Sequence, residues 1–184
     1  MRPLASSRPT MPVLAALALA FLLAMVVNGA QPKQRQLVKF EAKGVLRLEP
    51  EAVRRVTLNR GGRQAQLQRS AQGGWTLEPG GALEPAVATH LETAVKMLHR
   101  SAPVREIAPE ELAGVDTRAF GLEEPAFLAA LSGSDGQVLK VRFGAHNPEG
   151  FLQYMAIEGD PRVYLMSRFI GAEWLAALDG MEVR

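Results

Sequence analysis

Apolar and polar residues alternate most regularly over Arg54–Arg60, with Val56 and Leu58 on one side and Arg55, Thr57 and Asn59 on the other. Gly61-Gly62 follows, a pair able to take the positive φ that a two-residue turn requires. With those two as the loop, Leu58 faces Ala65 and Val56 faces Leu67, so apolar meets apolar while Gln64, Gln66 and Gln68 point away. The pattern predicts a hairpin. Gly73-Gly74 marks the next turn, and Trp75 and Leu77 put a third short strand on the same core. At Glu84-Pro85 the period changes to that of a helix. Val87, Leu91, Ala94, Val95 and Leu98 share one face, and proline suits the first turn. Pro103 closes this region, and Pro109-Glu110-Glu111-Leu112 starts a short helix whose acids suit its N-terminal dipole.

The stretch from Phe120 to Tyr164 is richest in strand signals. An apolar run, Phe127–Leu131, leads into Ser132-Gly133-Ser134-Asp135-Gly136. An Asp-Gly loop there places Val141 opposite Ala130 and Phe143 opposite Leu128. Leu139, Val141 and Phe143 then face in, with Lys140 and Arg142 out. Asn147-Pro148-Glu149-Gly150 turns the chain into a strand over Phe151–Ile157, and Gly159-Asp160-Pro161 turns it into another over Arg162–Met166. Ser167 suits the cap of a last helix striped by Ile170, Trp174 and Leu178. The expected fold is α+β: two mostly antiparallel sheet regions over 51–184, each covered by a helix. Both halves read as strands followed by a helix, an outline of duplication with little sequence identity behind it.

Ahead of this domain lies a basic tail, 1–10, then an apolar segment, 11–30. Met11–Val27 holds 17 residues without a charge, about 26 Å as a helix against a hydrocarbon core of roughly 30 Å. A signal peptide has a shorter apolar region and a small-residue cleavage site. Cleavage after Ala30 would put Asn28 at a poor position, so an uncleaved anchor is preferred to a cleaved signal. Leu14, Leu17, Phe21, Leu22 and Val26 are its expected contacts with the lipid bilayer. Arg2 and Arg8 hold the short tail inside, whereas Lys33, Arg35, Lys39 and Lys43 in the following linker, 31–50, argue the opposite orientation. The short tail favours export of the domain. The expectation is a single-pass membrane protein with its domain on the extracytoplasmic side.

The 184 residues, 47% of them hydrophobic, suffice for one domain with its own core. There is no cysteine, which excludes disulfides, thiolate zinc sites and lipid attachment through cysteine. The formal net charge of +2 comes from Arg2 and Arg8, and the remainder is balanced but uneven. Residues 31–105 carry 13 basic and 6 acidic groups, and 106–184 carry 6 and 13. A solvated bipolar surface accounts for this, and the alternative sets the basic half against anionic headgroups. No basic run is interleaved with stacking aromatics, so no nucleic acid is expected.

Candidate chemistry is sparse. Neither a P-loop, a G-x-G-x-x-G nor a G-x-S-x-G is present, and Gly133-Ser134-Asp135-Gly136 reads as a turn. His90 and His99 are half a turn out of phase on one helix, cannot share a metal, and read as solvated surface histidines. His146 stands alone in a loop near Asn147 and Glu149. Glu123 and Glu124 are neighbours on an extended chain and point to opposite sides, and Glu110-Glu111 belongs to a helix start. No catalytic residue, cofactor or metal is predicted. Trp75, Phe143, Phe151, Tyr154, Met155, Tyr164 and Trp174 read first as core. Of these Tyr154 and Tyr164 are the best candidates for an exposed partner contact.

Phe120-Gly121-Leu122-Glu123-Glu124-Pro125, Asp135-Gly136 between strands, Phe143-Gly144, the turn into Phe151–Tyr154 and Val163-Tyr164-Leu165 together resemble the uncharacterised bacterial family called "domain of unknown function 4340". Gly74-Trp75-Thr76-Leu77 before a helix fits it too, so the likeness runs from about Val53 to Leu178. The resemblance implies a membrane-anchored extracytoplasmic protein associated with ABC-type export components, and it carries over no catalytic residue. Three functions follow in order of expectation. The first is a non-enzymatic accessory protein that binds a membrane partner such as a transporter subunit. The second is a binding module for an envelope lipid or glycan, and the last a hydrolase with unrecognised residues.

Overall fold

The computed structural model describes residues 10–30, 43–136 and 138–182. They form two units, divided after Phe40. The first holds α1, Thr10–Ala30, a helix without a charged residue. Its described side chains, at 12–26, are all exposed, Leu14, Leu17, Phe21, Leu22 and Val26 among them. Among the described residues no helix is long and apolar enough to cross a membrane, so the structure does not show the expected anchor. The tail at 1–9 and the linker at 31–42, with Lys33, Arg35 and Lys39, lie outside the described residues.

The second unit is α+β, built on one sheet. Its strands are β1 (Val53–Arg60), β2 (Arg63–Arg69), β3 (Trp75–Glu78), β4 (Arg105–Ile107), β5 (Phe127–Gly133), β6 (Val138–His146), β7 (Leu152–Ile157) and β8 (Val163–Ser167). They run in the order β3-β2-β1-β5-β6-β7-β8-β4, every neighbouring pair antiparallel. The expected two sheet regions are therefore one, because β1 pairs with β5 and joins the halves edge to edge. That pairing removes two open edges, each a row of unsatisfied backbone groups.

Helices α2 (Pro85–Arg100) and α3 (Arg168–Glu182) both pack on the same face. Leu91, Val95 and Leu98 of α2 and Ile170, Trp174 and Leu178 of α3 join Val56, Leu58, Leu67, Phe127, Leu131 and Phe143 of the sheet in one core. Both helix stripes are those expected from spacing. Residues 43–50, assigned to the linker from sequence, belong to this domain instead. The N–H groups of Gly44 and Leu46 donate to the His99 and Leu98 carbonyls at the end of α2, at 2.9 and 3.0 Å, and Leu46 is buried. A Cβ on Gly44 would run into the Leu98 carbonyl, so glycine permits this close approach.

Hairpin β1–β2 has the predicted register, Leu58 with Ala65 and Val56 with Leu67. Hairpin β5–β6 is one residue off: Val141 faces Ala129 and Phe143 faces Phe127. Gly136, at φ +79°, closes the turn by donating to the Gly133 carbonyl at 3.4 Å. The slip exchanges Leu128 for Phe127 and Leu131 on the core side, where the Phe127 and Phe143 rings stack at 4.4 Å. More apolar surface is buried this way, and a one-residue shift turns every side chain over.

Candidate functional site

The opposite face of the sheet is only half covered. Between α2 and β5 the chain forms β4 and then crosses β7, β8 and β4 with two short 3-10 helices, Pro109–Leu112 and Thr117–Phe120. Phe120 and Leu122 of this segment bury Ile107, Ala156 and Val163 in a second cluster, and Phe120 stacks on Tyr154 at 4.3 Å. Gly144 allows the approach, since a Cβ there would run into the Phe120 carbonyl. The cover ends where an Arg142 N–H donates to the Leu122 carbonyl at 3.2 Å.

Beyond Arg142 no described residue of this unit covers the sheet. Antiparallel registry lines up Gln64, Asn59, Leu128 and Arg142 in one cross-strand row, and Gln66, Thr57, Ala130 and Lys140 in the next. All of these except Gln66, together with the turn at Glu158–Pro161, border a groove of about 760 Å³ with Leu128 and Ala130 on its apolar side. Leu128 is 36% exposed. A second depression, about 290 Å³, lies under the cover between Phe120 and Arg162 and shares Arg142, Asp160 and Pro161 with the first.

The groove's acids are engaged. Glu158 meets Lys140 at 2.7 Å. Asp160 accepts from Arg162 through Nε at 3.0 Å, Nη2 at 2.6 Å and the backbone N–H at 3.0 Å, and from the Tyr164 hydroxyl at 2.6 Å. The Arg162 side chain, then the Tyr164 hydroxyl and the Arg162 N–H, hold the Asp160 carboxyl well below the usual carboxylate range. Burial, followed by the bond to Asp160, pushes the Tyr164 phenol up to about 12. Both carboxylates of the groove are thus held by a cation. Arg142, also on the groove's border, donates instead to a backbone carbonyl, that of Leu122.

The residues singled out from the sequence sit elsewhere. Tyr164, expected to be exposed, is 3% exposed and part of the main core, because it pairs with Met155 across β7–β8 and points under the helices. Tyr154 is half-buried beneath Phe120. Tyr164 is therefore not a surface residue, and Tyr154 is only partly accessible. Phe151, expected to begin a strand and pack inward, is instead 70% exposed in the turn before β7.

His99, read as a surface residue, is buried. It follows Leu91 and Val95 at intervals of four, on their face of α2. Its Nδ1 lies 3.1 Å from the Leu46 carbonyl and Nε2 lies 3.4 Å from Glu49. His90 is partly exposed and bonds Glu173 of α3 at 2.7 Å. His146 is exposed at the end of β6. Among the described residues no group of three His, Asp or Glu could hold a metal ion.

Sequence reasoning missed the groove because its residues are strand positions that alternation marks as outward and solvated. Seeing it requires knowing that the 108–126 segment covers one half of the face and stops. Comparisons of this chain with family models, curated proteins and solved structures give no match.

Proposed function

We propose that this chain is a non-catalytic accessory protein of a bacterial inner membrane, held there by its apolar N-terminal segment, whose extracytoplasmic domain binds a membrane protein partner through the bare half of its sheet. A component of an ABC-type exporter is the partner implied by the resemblance to the domain of unknown function 4340 family. One observation carries the binding role: the described residues of the domain leave half of a sheet face uncovered, and its side chains form a groove beside the edge of the covering chain. A partly apolar concavity with a few convergent polar groups is the usual form of a binding site. The tied carboxylates Glu158 and Asp160 favour binding over chemistry. The anchor is supported by the charge-free sequence of α1, apolar on all sides, a pattern that calls for an apolar environment.

An envelope lipid or glycan is the second reading, and the apolar side of the groove favours an acyl chain. No ring lines the groove on which a sugar would stack.

The test is affinity capture of the full chain from mild detergent, with mass spectrometry of what accompanies it. Ala130→Arg, at the groove floor, is compared with Phe169→Ala, an exposed residue on α3. The reading requires a membrane protein, a transporter subunit in the first instance, that is lost with Ala130→Arg and kept with Phe169→Ala. Partner-free recovery of the wild-type chain, or equal capture by both variants, overturns it.

A further inference from the structure

We infer that the groove takes an extended peptide segment in which a carboxylate side chain lies two residues from an apolar one, with Arg142 gripping the carboxylate. The inference rests on the binding reading above and names the chemistry of the partner. Three features of the bare face lead to it. The row from Gln64 through Asn59 and Leu128 to Arg142 crosses three strand intervals, about 14 Å at roughly 4.8 Å each, the length of about four extended residues. Along it the chemistry is graded: side-chain amides at one end, an exposed leucine in the middle, a guanidinium at the other. Amides match the donors and acceptors of a peptide backbone. An apolar side chain over Leu128 and the next same-face side chain, about 6.6 Å on, reach Leu128 and Arg142 in turn.

Charge is the second feature. Glu158 is paired with Lys140 and Asp160 with Arg162, whereas Arg142 donates to the Leu122 carbonyl. A guanidinium has five N–H donors in a fixed fork, so the bond to Leu122 leaves a side of it free for a bidentate carboxylate. The same bond, made to a backbone atom of the covering segment, fixes where the fork points. Third, Arg142 lies on the border of both depressions, between the bare face and the cover, so a bound carboxylate is partly shielded from water there. Shielding is what lifts such a pair above the small worth of a surface ion pair. The groove offers a glycan no aromatic ring to stack on, and a bilayer is too flat to enter it.

The experiment uses the full chain in nanodiscs of neutral phosphatidylcholine and a fluorescein-labelled peptide repeating Leu-Ser-Glu-Ser, read by anisotropy against empty nanodiscs. We expect binding that weakens about fivefold or more when Glu in the peptide is replaced by Gln, and by a similar factor in Arg142→Ala. Arg142→Lys should fall between, because an ammonium cannot form the fork. Far-UV circular dichroism verifies that each variant is folded, and Asn59→Ala supplies a second probe at the far end of the row. Equal affinity for the Glu and Gln peptides, or no change in folded Arg142→Ala, overturns the inference. So does full competition by phosphatidylglycerol vesicles, which would assign Arg142 to headgroups. If the peptide fails to bind while Ala130→Arg still abolishes partner capture, the inference falls and the binding reading stands. If Ala130→Arg has no effect either, both fall.

Discussion

Arg69 offers the sharpest test of how the amide side of the groove is held in place. Its side chain is 7% exposed. Nε donates to the Val53 carbonyl at 3.0 Å, Nη1 to Gly73 at 3.2 Å, and Nη2 to Pro50 at 3.1 Å and to Glu92 at 2.8 Å. The guanidinium also sits 4.4 Å from the centre of the Trp75 ring, whose Nε1 donates to the same Glu92 oxygen at 3.1 Å. One side chain thus ties β2 to β3, to the start of β1 and to α2. Arg69→Ala strands a carboxylate and leaves backbone carbonyls without their donor. Breaking a buried pair by removing one partner costs about 3–5 kcal/mol. Glu92 is 25% exposed, so water recovers part of this, and the lost cation–π contact adds about 0.5–1 kcal/mol. The expected loss is about 3–4 kcal/mol. Glu92→Gln keeps an acceptor for both donors and removes only the charge, so its cost should be about 1–2 kcal/mol.

Urea unfolding followed by tryptophan fluorescence and by far-UV circular dichroism measures both variants. A loss under about 1 kcal/mol for Arg69→Ala, or equal losses for the two, would refute the reasoning. A pH series adds an independent check. Burial pushes the Glu92 carboxyl up, but the Trp75 bond, the Arg69 charge and bond, and Lys96 together outweigh it, leaving a lowered pKa. A lowered folded pKa contributes stability that is present above the unfolded value, about 4.3, and is lost as pH falls through the folded one. Glu92→Gln should therefore unfold with a shallower loss of stability below about pH 4.3 than the wild type.

Two further outcomes follow. Gly144→Ala forces its Cβ into the Phe120 carbonyl, which should cost about 1–3 kcal/mol. Amide exchange should quicken over 117–122 more than in β1–β2, and uniform quickening would contradict a local role for Gly144. In an ultraviolet titration Tyr164 should ionise near pH 12, and Asp160→Asn should lower that value only part of the way, since burial, the larger cause, remains. A raised folded pKa means stability that is complete below the unfolded value, about 10, and lost as pH rises toward 12. An unchanged titration in Asp160→Asn would disprove the bond.

What the sequence disclosed depended on whether local rules had competition. The β1–β2 hairpin was legible because Gly61-Gly62 sets its register and both flanking strands agree with it. At Asp135-Gly136 two loop lengths suit the turn residues, and the choice falls to core packing, where Phe127 outweighs Leu128. Strand β4 carries three residues, Arg105–Ile107, too few for any period, and forms only because β8 offers an open edge. Tyr164 shows the same limit from the other side. Alternation placed it opposite Val163 correctly, but both faces of β8 are covered, one by the helices and one by the 108–126 segment. Its hydroxyl finds its partner in Asp160 inside the turn.

The outline of two repeated halves gains a physical meaning in the strand order. Outward from the β1–β5 pair, the chain runs β1, β2, β3 in one direction and β5, β6, β7, β8 in the other. A bridge from Ala82 to Thr76 of β3 stands where β8 stands beside β7. Each half then sends a helix back across the same face, α2 and α3, which fill one core together. Such an arrangement needs only apolar residues at alternate strand positions and one helix stripe, so the halves can share a topology with little identity. The connection between them breaks the equivalence. Residues 101–126 add β4 and a cover to the second half alone, and the first half has no counterpart. The groove is the remainder: bare sheet on both sides of the β1–β5 seam, bounded by the place where Arg142 holds the edge of the cover. A site at that seam depends on residues from both halves, which explains why neither half, read by itself along the sequence, shows one.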